Sequence, residues 1–93
     1  MKLKYTIHAL IQLERRGITK KIIAQVHSNP EFTCFDTKEQ NFVAVKQVLY
    51  REKLRYISIS YNKEPRHDKI TTLKPEKTNN LFNKIKKGRW VKL

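Results

Sequence analysis

The sequence predicts an α+β fold: two N-terminal helices packed on a four-stranded antiparallel meander, followed by a basic C-terminal helix or tail. Three observations carry that prediction. Between Thr6 and Pro30, apolar residues recur at helical spacing between cap and stop residues. From Phe32 the period changes to two, in four runs rich in Val, Ile, Thr, Tyr and Phe. The polar turns between those runs are too short to hold helical crossovers, which leaves antiparallel pairing.

Thr6 serves as N-cap of the first helix, with Tyr5 and Leu10 at the two positions of a hydrophobic staple. Ile7, Leu10, Ile11 and Glu14 form one stripe, mostly apolar, and His8, Gln12 and Arg15 form another. Gly17 supplies the left-handed residue that ends this helix. Thr19 caps the next, whose apolar face is Ile22, Ile23 and Val26, and Asn29-Pro30 stops it because the residue before proline avoids helical geometry.

The four strands are expected over residues 32–36, 42–50, 54–61 and 68–73. In the third, Ile57, Ile59 and Tyr61 alternate with Tyr56, Ser58 and Ser60, so one face packs on the helices and the other stays polar and available. In the second, Lys46 opposes Val43, Val45 and Leu49. After Pro75 a helical pattern returns, with Thr78 as cap, Leu81, Phe82 and Ile85 as apolar edge and Gly88 as terminator. The chain reads as one domain over 1–93, with 74–93 as a basic extension.

The 93 residues carry 21 Lys+Arg against 8 Asp+Glu, a formal charge of +13. Residues 1–45 contribute +3 and residues 46–93 contribute +10. Such an excess opposes compaction by self-repulsion and is explained most simply by a polyanionic partner, nucleic acid above all. No segment joins basic residues to the wide apolar face of a membrane-surface helix, and no apolar run approaches a membrane span, so no membrane partner and a cytoplasmic location are expected. Cys34 is the single cysteine and sits in an apolar run, as a buried thiol would in a reducing compartment.

His8 falls in the first turn of helix one, where the helix dipole favours the neutral ring, able to accept a proton. Arg15, two turns on, can hold a phosphate bidentately. A plain surface histidine and a solvated basic helix end account for the same residues. Lys46, Arg51, Arg55, Tyr56, Tyr61 and Thr71-Thr72 mix cations and aromatic rings on or beside strands, the combination with which sheets track phosphates and stack unpaired bases. Packing tyrosines are the ordinary alternative. Lys84, Lys86, Lys87 and Arg89 lead to Trp90, which either stacks on a base or folds back over the core edge.

His8, His27, Cys34 and His67 lack the local spacing of zinc ligands, so neither a metal site nor a cofactor is expected. There is no phosphate-binding glycine loop, nucleophile elbow or paired-carboxylate arrangement, and nucleotide hydrolysis, esterase and glycosidase chemistry find no support.

His8, then Arg15-Arg16-Gly17-Ile18-Thr19, then Asn29-Pro30 leading into a strand, resembles a family of small toxin-like domains. These are similar to the RelE- and BrnT-type toxins of the barnase/colicin/RelE-like fold, and the resemblance covers roughly residues 5–73. It implies a metal-independent endoribonuclease, the toxin of a type II toxin–antitoxin pair, acting on RNA (mRNA at or near the ribosome) and neutralised by a small acidic antitoxin. His8 would be the base or acid. Arg15 would serve catalysis beside Lys46 and Arg55 from the strands. Arg16, Arg51, Tyr56, Tyr61, Lys84, Lys86, Lys87, Arg89 and Trp90 would grip RNA. The basic segment after Pro75 lies outside the family pattern. A non-catalytic nucleic-acid-binding module, or a basic protein-binding inhibitor, requires only the charge and the aromatics.

Overall fold

A computed structural model describes residues 2–93. Among them the elements run β1 (Leu3–Tyr5), α1 (Ile7–Arg16), α2 (Lys20–Ser28), β2 (Phe32–Asp36), β3 (Asn41–Tyr50), β4 (Lys53–Glu64), β5 (His67–Glu76), α3 (Thr78–Lys86) and β6 (Trp90–Lys92). The strands form one sheet in the order β1-β5-β4-β3-β2-β6. From β2 to β5 the pairing is antiparallel. β1 joins β5 in parallel, with Leu3 opposite Asp68, and β6 joins β2 antiparallel, with Trp90 opposite Asp36.

The expected four-stranded antiparallel sheet with two N-terminal helices is therefore corrected to a six-stranded mixed sheet with three helices. The two added strands have three residues each, too few for a period of two to register. Residues 74–93 are likewise no appendage. Lys74 to Glu76 finish β5, α3 covers one face of the sheet, and β6 seals its edge.

Alternation along the strands gives the sheet two apolar faces. On the first, Ala44, Ile57, Ile59, Tyr61, Ile70 and Leu73 pack beneath Ala9 of α1, Ile18 of the interhelical turn, and Ile23 and Val26 of α2. On the second, Cys34, Val43 and Val45 meet Leu81 of α3 and Trp90, with Phe32, Tyr56 and Ile85 at the margin. Burial pushes the Cys34 thiol pKa up, only partly offset by Lys92.

Both N-terminal helices are capped: the Thr6 hydroxyl accepts Ala9 N–H at 3.0 Å and Thr19 accepts Ile22 N–H at 3.2 Å. Gly17, at φ 63°, turns the chain between them. α3 differs from expectation, since Lys77 occupies the N-cap without a side-chain bond and Thr78 is the first helical residue.

α1 also packs on an unexpected face. Ile7, Leu10 and Ile11 are 79%, 40% and 50% exposed, while Ala9, Gln12 and Leu13 approach the sheet. The ladder between β4 and β5 shifts register between Ser60 and Tyr61. Beside that irregularity, Gln12 Oε1 accepts Leu73 N–H at 3.0 Å and the Thr72 hydroxyl. Satisfying those donors selects a polar residue for the contact.

The β3–β4 hairpin turns on Arg51 and Glu52, both with left-handed backbone, φ 50° and 66°. A two-residue loop with both φ positive ordinarily takes Asn-Gly, and a bulkier residue there costs about 1–2 kcal/mol. Replacing Arg51-Glu52 by Asn-Gly is expected to raise unfolding stability by about 1–2 kcal/mol, read from urea midpoints. An unchanged or lowered midpoint would show that the turn carries no strain.

Candidate nucleic-acid cleft

The second sheet face is only partly roofed. α3 covers β2 and β3, and α1 rises beyond β5, leaving a cleft of about 630 Å³. Its floor is polar: Ser58 and Ser60 of β4, Thr72 and Lys74 of β5, and Asn41 of β3. His8, Gln12 and Arg16, one helical turn apart along α1, form one wall. Lys84 of α3, with Arg89 and Trp90, forms the other. The face that alternation marks as polar is thus the floor of this cleft.

Glu76 anchors one end. Its side chain is 2% exposed and accepts the Ser58 hydroxyl at 2.8 Å and the Lys84 ammonium at 3.1 Å, with Lys74 at 3.6 Å. A carboxylate so far from water requires such partners. Burial pushes the Lys84 pKa below that of an ordinary lysine; Glu76 pulls it back up, and neighbouring Lys74 pushes it further down. The same ammonium lies 4.6 Å from the centre of the Trp90 ring.

Asp36 anchors the other end. Its Oδ1 accepts Lys38 and Glu39 N–H at 2.9 and 3.0 Å, and its Oδ2 accepts the Trp90 indole N–H at 3.1 Å, with Arg89 at 3.6 Å. Burial alone would raise this carboxyl's pKa. The Glu39 N–H, the Trp90 indole, the Lys38 N–H and Arg89 outweigh it and hold the pKa below the usual carboxylate value. A depressed pKa stabilises the fold above the unfolded value of about 3.9 and loses that contribution as pH falls through the folded value. Acid unfolding of Asp36→Asn, followed by circular dichroism, is therefore expected to show a smaller stability loss below about pH 4 than wild type. Equal losses would remove Asp36 from the acid response. Within the cleft, Asn41 Oδ1 and Arg89 Nε are buried without a protein partner among the described residues, leaving one acceptor and one donor for a ligand.

The line expected through His8, Gln12 and Arg15 is split. His8 stands exposed on the cleft rim and Arg16 half-buried below it. Arg15 instead faces a second hollow, with Arg51 and Arg55. Lys46 is half-buried on the helix-side face opposite Ile57 and lines neither hollow.

The aromatic candidates are taken up in packing. Tyr61 is a core residue, 7% exposed, edge-on to His27 at 5.1 Å and stacked on Phe42 at 5.8 Å. Tyr56 packs edge-on against Phe82 at 6.1 Å. Trp90 is 3% exposed, folded back over the core edge. Hydrogen bonding of its indole to a buried carboxylate explains that placement. Of the basic tail, Lys84 and Arg89 reach the cleft, Lys87 borders an adjoining groove, and Lys86 points to solvent.

Sequence reasoning missed Asp36, Lys74 and Glu76. Lys74 and Glu76 continue the period-two pattern of β5, but Pro75 between them reads as a strand end. Among the described residues, no cluster of three His, Cys, Asp or Glu could hold a metal ion, and no helix is long and apolar enough to cross a membrane. Comparison with protein families, with characterised proteins and with solved structures finds no significant match to this chain.

Proposed function

We propose that the protein is a cytoplasmic, RNA-binding toxin that grips a single strand in the polar cleft and cleaves it without a metal. The observation that carries this reading is the facing of His8 and Arg16 on one wall by Lys84 and Arg89 on the other, across a floor of hydroxyls and Lys74. Cleavage by transesterification needs a base to take the ribose 2′-hydroxyl proton, cations on the non-bridging oxygens, and an acid for the leaving 5′-oxygen. His8 is the base. Arg16, Lys74 and Arg89 supply the cations, and Lys84, whose depressed pKa suits proton donation, is the acid. The 2′-oxygen–phosphorus bond forms, the phosphorus–5′-oxygen bond breaks, and the products are a 2′,3′-cyclic phosphate and a 5′-hydroxyl. An acidic antitoxin would neutralise the +13 charge and close the cleft.

A non-catalytic RNA-binding module is the second reading. It is favoured by the mutual satisfaction of Ser58, Glu76 and Lys84, which ties up the proposed acid. Incubation of the purified protein with single-stranded RNA in EDTA separates the two. Fragments ending in cyclic phosphate are expected; intact RNA that is still bound, with affinity falling steeply in salt, overturns cleavage and leaves the binding module. Intact RNA that is also unbound overturns both.

A further inference from the structure

The second hollow, about 410 Å³, lies at the end of the sheet where the β3–β4 hairpin meets the C-terminus of α1. Four guanidinium side chains converge on it from three places in the sequence: Arg15 and Arg16 from the last turn of α1, Arg51 from the hairpin tip, and Arg55 from β4. No carboxylate lines it. Among the described residues, none of the four arginines forms an ion pair, whereas Asp36 and Glu76 pair with Arg89, Lys74 and Lys84 elsewhere, and Asp68 and Glu64 with His27 and His67. Gathering like charges without a counter-charge costs stability.

The surroundings prepare the hollow for an anion. A helix C-terminus ordinarily presents carbonyl oxygens that repel one. Here the Tyr50 hydroxyl donates to Arg16 O, and Gly17 and Ile18 N–H take the Glu14 and Leu13 carbonyls. The Arg51 guanidinium rests 5.1 Å from the centre of the Tyr50 ring, and its backbone holds the left-handed geometry described above. Strain of this kind gathers at ligand clamps. Guanidinium groups match phosphate oxygens bidentately.

We infer that this hollow binds a terminal phosphate or diphosphate group carrying two or more negative charges. A backbone phosphodiester, with one charge, leaves most of the four arginines unmatched. The group could arrive free or as the phosphorylated end of an RNA. Gln12 and Arg16 line both this hollow and the sheet-face cleft, so an RNA end seated here lies beside the strand site. The pocket itself stands without the RNA reading; only its RNA source rests on it.

Titration calorimetry of the full chain with inorganic pyrophosphate tests the site. One equivalent is expected to bind, about tenfold or more weakly in Arg51→Ala and Arg55→Ala, with melting temperatures confirming that the variants fold. Lys21→Ala, which removes the same charge from exposed α2 surface, is expected to bind as wild type does. No binding, or equal weakening in all three variants, overturns the inference. Two short RNAs of one sequence, with 5′-phosphate and 5′-hydroxyl, then identify the source. Tighter binding of the phosphorylated RNA, with the difference erased by pyrophosphate, assigns the pocket to an RNA end. Equal binding of the two RNAs, with pyrophosphate still bound, assigns it to a free ligand. Pyrophosphate binding without binding of either RNA keeps the pocket and sinks the RNA reading.

Discussion

On the proposed cleavage mechanism, His8→Ala is expected to slow RNA cleavage by about 10²–10⁴-fold, the usual contribution of a positioned general base, with no change in melting temperature. The absence of a stability effect follows from the side chain's placement. His8 is exposed in the first turn of α1, and the adjacent cap is made by Thr6, whose hydroxyl bonds to Ala9 N–H and to the Thr71 carbonyl. Single-turnover cleavage in EDTA, measured beside thermal unfolding, checks both halves. A variant that cuts as fast as wild type removes His8 from the mechanism. One that melts early would mean that the ring supports the helix.

Trp90→Ala is expected to cost about 3–5 kcal/mol of folding stability, the range for a buried large aromatic. Three losses combine. The indole leaves a cavity among Cys34, Val43, Val45 and Leu81. Asp36 Oδ2 loses its indole donor, and Lys84 loses the ring beneath its ammonium. Trp90→Phe separates these terms, because it keeps much of the apolar volume while leaving Asp36 short of a partner; about 1–3 kcal/mol is expected from that unsatisfied acceptor. Urea unfolding of both variants measures the difference. A cost under about 1 kcal/mol for the alanine variant would place Trp90 at the surface after all.

Local signals read well where they are chemical. Thr6, Gly17 and Thr19 have hydroxyl or glycine chemistry that a helix end needs, and the Ser58–Ser60 alternation marks the polar face. Long-range pairing left no comparable trace. Leu3–Tyr5 and Trp90–Lys92 are strands because β5 and β2 offer open edges to them, a fact of the assembled sheet. The same limit governs the exposed stripe of α1: Ile7, Leu10 and Ile11 have helical spacing, but the register shift between β4 and β5 decides that Gln12 faces the sheet. At the cleft, His8, Arg16, Lys84 and Arg89 were legible as basic or titratable residues. The separation of Arg15 into the other hollow depends on the rotation of α1, which spacing alone does not define.

The two edge strands have a kinetic consequence. β1 waits for a partner more than sixty residues further along, with Leu3 opposite Asp68, and β6 reaches back from Trp90 to Asp36. Such distant closures are slow because loop entropy is lost before their contacts form. A nascent chain can build the central hairpins and both N-terminal helices while Arg89 and Trp90 are still unmade. The cleft's second wall is therefore assembled last.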